Sequence, residues 1–313
     1  MSLPKAKVIF GAAHIDTLEE LDTVYTALRK HGVTTLDTAH LYGKSERTIG
    51  STGGSKSFLV DTKAAGWTPG SLTATRIKEA MTQSLQDLEL SQVNTYYLHA
   101  PDTDTPIEET LEAINSLYAE GKFKKFGISN YDVAGIERIV AIAKQNSWVA
   151  PTVYEGNYSP IARHLETEVL PTIRKYGMTF HAYSPLAGGF LVRSKEQLTG
   201  ASLTGRFDQT TMAGQLYLGM YGKPSILAAL EQWEEIANQA GVTKAALAYR
   251  WVAYHSALGD DDALVFGASS LKQMNETLGA YEEGPLSTEI VKKVEEIWEL
   301  VKDEAPIDNF HRK

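Results

Sequence analysis

Residues 34–46 read TTLDTAHLYGKSE. The β-branched opening has the composition of a short buried strand, and it stops at Asp37. Tyr42 follows five residues later, directly before Gly43. An acid and a phenol placed just past the end of a strand carry chemical meaning when many strands end at one mouth, so the surrounding pattern decides their interpretation. Outward from this stretch, short β-rich runs alternate with longer amphipathic ones. KVIFGAA precedes a helical pattern at 18–31, TTLDTA precedes 45–51, FLVDTKA precedes 71–89, and VNTYYLHA precedes 106–120. The second half repeats the scheme with KKFGISN, PTVYEGN, MTFHAYSP and ALVFGAS as strands, and with helices over 132–146, 164–176, 225–256 and 270–281. Strands separated by helices imply right-handed crossovers and a parallel sheet. Eight such units in roughly 250 residues favour a closed (β/α)8 TIM barrel over an open doubly wound sheet.

No clean linker divides the chain, so 1–313 is expected to form one domain. The one oversized connection, 187–224, is rich in Gly and polar residues and is expected to act as a lid over the barrel. A last helix, 287–304, lies outside the eight units and leads into the tail APIDNFHRK.

Composition narrows the function classes. With 313 residues, 43% of them hydrophobic, the chain can bury a large core. Its longest apolar stretch, GVTKAALAYRWVAYHSAL, is broken by Lys244 and Arg250, so no membrane span is expected. The amino terminus runs straight into a strand and is too short for a leader, which points to a cytoplasmic protein. The absence of cysteine excludes disulfides, thiolate metal sites and a Cys nucleophile; no metal is expected. A formal charge of −9 without a Lys/Arg block argues against nucleic-acid binding.

In a parallel barrel the carboxyl ends of the strands converge on one mouth. Several residue types disfavoured in strands fall at these ends: Asp37, Lys63, His99, Asn130, Glu155 and Tyr183. Taken singly, Asp37 can cap a turn, Lys63 can be solvated, His99 can be satisfied within a turn and Tyr42 can be packing. Together they describe a site. Lys63 beside Asp37 stays charged, and an ammonium near a phenol favours phenolate and makes Tyr42 a better proton donor. A nearby imidazole, His99, would orient a carbonyl oxygen, so both Tyr42 and His99 would face the substrate. This chemistry suits reduction of a carbonyl, in which carbon takes hydride and oxygen takes a proton.

The motifs LDTAHLYGKSE, DTKA, YLHAPD, GISNY, PTVYEGNYS, AYSPLAGG and FGASSLKQM occur in the order and spacing of the aldo-keto reductases. The chain resembles that family over nearly its whole length. LHAPD…PIEETLEAI, EGKFKKFGISNY, PTVYEGNY and PLAGGFL most resemble the aflatoxin-aldehyde reductase branch, which includes succinic-semialdehyde and other aldehyde reductases. The resemblance implies an NADPH-dependent oxidoreductase acting on small carbonyl substrates. The cofactor would lie extended on a (β/α)8 barrel, and no G-x-G-x-x-G fingerprint is present. By motif, the resemblance gives Asp37, Tyr42, Lys63 and His99 as the catalytic four. It places Ser129, Asn130 and Glu155 on the nicotinamide carboxamide, Tyr183 stacked on the ring, and Ser184, Leu186 and Gly188 at the pyrophosphate. Arg206, Ser269, Gln273 and Thr277 match the end that holds adenosine and its 2′-phosphate. Phe310 and Arg312 of the tail would border the substrate, and the branch commonly forms homodimers.

Three positions depart from the resemblance. The family usually has Gln where Glu155 stands, and an ionised Glu only accepts hydrogen bonds and adds negative charge near a dinucleotide. Asp61, two residues before Lys63 and on the same strand face, replaces a residue that is commonly neutral and would compete for the lysine. GASSLKQ lacks the Lys and Arg that other branches place on the 2′-phosphate. Two rival functions follow from the same residues: a class I aldolase using Lys63 as a Schiff base, which needs a neutral amine, and a cofactor-bearing regulatory subunit with little turnover. GSTGGSKS at 50–57 resembles a phosphate-binding loop but precedes a strand where such a loop should follow one.

Overall fold

A computed structural model describes residues 6–199, 203 and 205–311. Among these, eight parallel strands close into a barrel in chain order: β1 Lys7–Gly11, β2 Thr35–Asp37, β3 Leu59–Ala64, β4 Val93–Leu98, β5 Phe123–Ser129, β6 Val153–Asn157, β7 Thr179–Tyr183 and β8 Ala263–Phe266. Seven lie within the runs singled out in the sequence, and β5 starts one residue before its run, at Phe123. Because strand side chains alternate between faces, Phe10, Leu36, Val60, Tyr96, Phe126, Tyr154, Phe180 and Phe266 point outward and are buried in the main core with the helices. The helices supply the matching stripe at i, i+3, i+4 spacing: Ile77 and Met81 on Ala74–Asp87, Ile136 and Ile139 on Val133–Asn146.

The inward faces are unusually polar. Ile9, Ala263 and Val265, with Tyr183 against them, form a small separate apolar cluster, while Asp37, Asp61, Lys63, Tyr97 and Glu155 are buried. Register aligns these residues across the barrel: Asp37 with Asp61, Lys63 with Tyr97, Tyr97 with Gly127, Ser129 with Glu155, and Glu155 with His181. Gly127 is required by close approach, since a Cβ there would meet the Tyr97 ring at 2.3 Å.

Three boundaries differ from expectation. The pattern at 225–256 is two helices, Pro224–Gln239 and Lys244–Tyr254. Gly241 takes a left-handed φ of 66° and Thr243 caps the second helix, its Oγ1 accepting from the Ala246 N–H at 3.1 Å. The pattern at 164–176 is broken between Leu165–Glu168 and Leu170–Lys175, beside Pro171, which has no N–H to continue the ladder. The lid contains a genuine helix, Met212–Tyr221, started by Thr211 accepting from Gly214 N. The extra C-terminal helix Thr288–Val301 buries Ile290, Val294, Ile297 and Val301 and joins Glu295 to Arg163, which lies over Trp251 at 4.0 Å. No helix among the described residues is long and apolar enough to cross a membrane.

Candidate active site

The segment after β2 is fixed by its own polar residues. Ser45 Oγ donates to Ala12 O at 2.7 Å and lies 2.7 Å from Thr38 Oγ1, and Thr62 Oγ1 donates to Glu46 Oε1 at 2.6 Å. A turn closed by Tyr42 N on Ala39 O at 2.9 Å then aims the phenol over the barrel mouth. Polar residues that are costly in a strand serve here to anchor a short loop, because each finds a partner at once.

Beneath Tyr42, Lys63 is 0% exposed. Its Nζ donates to Asp37 Oδ1 at 2.5 Å and to Thr38 O at 3.0 Å, and Glu155 Oε1 lies at 3.5 Å. The ammonium sits 5.6 Å from the Tyr42 ring centroid and 5.4 Å from that of Tyr97. Burial alone would push Lys63 toward neutrality, but Asp37 and Glu155 outweigh it and hold the lysine above its ordinary range. A cation held so firmly is unsuited to Schiff-base formation, which removes the aldolase reading.

Tyr42 Oη lies 3.4 Å from His99 Nε2, with the rings edge to face at 5.5 Å. Burial first, and Lys63 second, hold His99 well below the usual imidazole value, so it is neutral at physiological pH. Its Nδ1 has no hydrogen-bond partner among the described residues. The Tyr42 phenol departs from the sequence expectation. Lys63 does favour the phenolate, yet burial, together with Asp37 and Glu155, raises the phenol above its ordinary value of 10.0. In the resting site Tyr42 is therefore held protonated rather than acidified.

The other predicted residues fall into two groups. Around the mouth, Asn130 Nδ2 donates to His99 O at 2.9 Å and to Ser129 Oγ at 3.1 Å, while Tyr183 Oη donates to Asn130 Oδ1 at 2.7 Å. Asn130 thus ties the imidazole strand to the Tyr183 ring, and its φ of 60° is a left-handed conformation that Asn tolerates. Ser184 and Ala187 are left-handed as well, with φ of 58° and 51°. Gly188 follows at 69°, its Cα so close to the Tyr217 ring that a Cβ would meet it at 2.1 Å. Two strained non-glycine residues in one turn mark the loop bearing Ser184, Leu186 and Gly188 as a shaped cradle.

Farther along, Arg206 lies over the Tyr217 ring at 5.8 Å. Burial raises the Tyr249 phenol, and Thr277 and the charge of Arg206 act on it in the opposite sense. Ser269 donates through N and Oγ to Gln273 Oε1 at 3.0 and 2.8 Å, so these two first satisfy each other at the start of the helix Leu271–Glu282.

The tail is ordered by Asp308, which accepts from Phe310 N at 2.8 Å and from His311 N and Nδ1. Phe310 packs on Trp67 at 5.8 Å, and Trp67 on His99 at the same separation. Arg312 lies outside the described residues. Trp67 was missed by the sequence reading although its signal was visible, a large ring four residues past Lys63 in a Gly-Trp-Thr-Pro turn. Tyr97 and His181 were also missed. Joined at 2.9 Å, they lie two residues before His99 and Tyr183 on the same inward faces, and the period-2 rule reaches them.

Asp61 does not contact Lys63 directly. Its Oδ1 accepts from Asn94 Nδ2 at 2.6 Å, and its Oδ2 is without a partner among the described residues. Burial is the main cause that raises its carboxyl to about 6. An unfolded Asp titrates near 4, so this group favours the fold below that value and opposes it as pH rises through about 6. Asp61→Asn is therefore expected to stabilise the protein by about 1–3 kcal/mol at pH 7 and to have little effect near pH 4. Thermal unfolding at both values checks this, and a gain independent of pH would contradict it.

An ion-paired buried lysine below a phenol–imidazole pair at the mouth of a (β/α)8 barrel is an arrangement for proton delivery to an oxygen. The sequence profile of the aldo/keto reductase family matches residues 7–299, and the chain belongs to that family. Its members are oxidoreductases that reduce carbonyls with nicotinamide cofactors. Among characterised relatives, the oxidoreductase sirO of Leptosphaeria maculans is 39% identical, over 93% of this chain and 89% of its own. Human aflatoxin B1 aldehyde reductase member 2 is 38% identical, over 99% of this chain and 90% of its own. Human aldo-keto reductase family 7 member A3 is 36% identical, over 100% and 99%.

Proposed function

We propose that this protein reduces aldehydes to alcohols with NADPH, using Tyr42 as the proton donor. The observation that carries the reading is Lys63, bonded to Asp37 and lying under the ring of a phenol that touches a neutral imidazole. Tyr42 Oη gives its proton to the carbonyl oxygen as that oxygen becomes an alkoxide, a base much stronger than phenolate. Lys63 stabilises the phenolate as it forms, which is when its charge matters most. His99, neutral, donates a hydrogen bond from Nε2 to the same oxygen, and Asp37 keeps Lys63 charged and in place. Trp67 and Phe310 wall the mouth against water and favour a substrate with an apolar body.

The residues present suit a dinucleotide. The strained turn bearing Ser184 and Gly188 is a cradle for pyrophosphate, the Tyr183 ring is pinned by Asn130 and suits stacking, and Glu155 Oε2 is a buried polar atom without a partner among the described residues. Bound there, the reduced nicotinamide supplies the hydride. Arg206, on the lid, would meet the 2′-phosphate, with Ser269, Gln273 and Thr277 nearby on the adenosine. Arg206→Ala is expected to weaken NADPH about tenfold and NADH hardly at all, since one charge-assisted contact to phosphate is lost. Equal losses for the two cofactors would remove Arg206 from that role. The whole reading is tested by following NADPH oxidation with 4-nitrobenzaldehyde and succinic semialdehyde; no turnover with aldehydes would reject it.

A further inference from the structure

The barrel interior holds more negative charge than the proton-delivery scheme uses. Three carboxyls, Asp37, Asp61 and Glu155, share the interior with the ammonium of Lys63, which touches only Asp37 and Glu155 of the three, and each carboxyl residue is at least 95% buried. Lys63 has three N–H donors. One goes to Asp37 at 2.5 Å and one to Thr38 O at 3.0 Å, leaving a third at 3.5 Å from Glu155 Oε1. Glu155 Oε2 has no hydrogen-bond partner among the described residues. A buried carboxylate with one weak ionic contact and a bare oxygen beside two other carboxyls is better accommodated as the neutral acid. Burial, followed by Asp37, raises Glu155 well above the usual carboxyl range, in agreement.

The groups facing Glu155 leave it as the carrier of the mobile proton. On β2, burial raises Asp37 as well, but its short bond to Lys63 opposes that and favours the anion. On β3, Asp61 is raised to about 6 by burial and has a bare Oδ2, which makes it the rival carrier, but its Oδ1 is held by Asn94 and of the two only Glu155 reaches Lys63. On β4, Tyr97 is held protonated by burial and His99 is held neutral. On β7, His181 is pushed down to about 3 by burial and has no second proton to give near neutrality. Tyr42, above, is firmly protonated. On β5 the facing residues, Gly127 and Ser129, do not titrate in this range.

We propose that Glu155 carries a redox-linked proton: it is a neutral acid while the reduced, uncharged nicotinamide is bound, and releases that proton to solvent when the oxidised, cationic ring takes its place. The O–H bond of the Glu155 carboxyl breaks, the carboxylate stays opposite the pyridinium charge, and the buffer takes the proton; no electrons move in this step. Glu155 thereby sets the relative affinity for the two cofactor forms, and makes that ratio depend on pH. The inference rests on the nicotinamide reading given above. It also revises the expectation that Glu155 only accepts hydrogen bonds, since the neutral acid can donate as an amide does.

Calorimetric titration of the intact protein with NADP⁺ and with NADPH, each in phosphate and in Tris near neutral pH, counts the protons exchanged. Wild type is expected to release about one more proton with NADP⁺ than with NADPH. The 2′-phosphate, whose own pKa is about 6, is common to both forms and cancels. The ratio of the Kd for NADP⁺ to that for NADPH should fall by up to about tenfold per pH unit in wild type and be flat in Glu155→Gln, which still binds both forms. Equal proton counts in wild type, or a difference that survives in Glu155→Gln and disappears in Asp61→Asn, would overturn the proposal. Binding of neither form by wild type would overturn the nicotinamide reading, and this inference with it. Should Glu155→Gln fold poorly, infrared difference spectra of wild type with ¹³C-labelled glutamate decide the question: the protonated-carboxyl stretch should be present with NADPH and lost with NADP⁺, and its persistence with NADP⁺ refutes the proposal.

Discussion

Tyr42→Phe is expected to lower kcat for aldehyde reduction about 10²- to 10⁴-fold, the range for removal of a general acid, with cofactor affinity almost unchanged. The substitution deletes one oxygen and leaves the ring against His99 and above Lys63, so the apolar contacts survive. Steady-state rates and a direct NADPH titration on the same preparation separate the two effects. Turnover near the wild-type level would discard Tyr42 as the donor. The wild-type pH profile supplies an independent check. Because burial, with Asp37 and Glu155, raises the phenol above 10.0, deprotonation of Tyr42 should not limit reduction anywhere between pH 6 and about 10.

Lys63→Met should affect both stability and rate. Methionine fits the space of the lysine stem but removes the cation between Asp37 and Glu155, and breaking a buried pair by deleting one partner costs about 3–5 kcal/mol. Both carboxyls already stand above their ordinary values because of burial, and they rise further without the ammonium. The unfolded chain releases these protons near pH 4, whereas the folded variant keeps them. The deficit should therefore be largest at neutral pH and shrink as pH falls toward about 4. Denaturant titrations at two pH values measure this. A variant as stable as wild type at pH 7, or with normal turnover, would mean that the lysine neither balances the cluster nor assists Tyr42.

These two experiments probe different aspects of Lys63. One asks whether the phenol delivers the proton, the other whether a buried charge keeps the phenol's surroundings intact. The lysine's influence on Tyr42 is in the direction the sequence suggests, but it is outweighed in the resting site by loss of water and, after that, by the surrounding carboxyls. In the proposed reaction its value lies in the transition state, where negative charge would reach the phenol oxygen with the ammonium already in place.

The barrel itself was legible in the sequence because local rules decide it. β-branched runs of fixed spacing, period-2 faces and intervening amphipathic helices admit few closed solutions, and each of the eight strands lies where its residues imply. The strand-end residues Asp37, Lys63, His99 and Asn130 were legible for the same reason, since parallel strands must bring their carboxyl ends to one side. Helix breaks at Gly241 and Pro171 were written in the sequence but were overridden in its reading by long hydrophobic periodicity. What only the tertiary structure decided was how partners are shared across strands. Whether Glu155 is ionised depends on Asp37, Asp61 and Lys63, none of them a sequence neighbour, and on exclusion of water by the whole barrel. The seating of Trp67 between His99 and Phe310 depends likewise on a tail folded back over the mouth by Asp308. Periodicity fixes which face a side chain takes, but the energy of a buried charge is set by every group within a few ångströms, and those groups are brought together only by closure of the sheet.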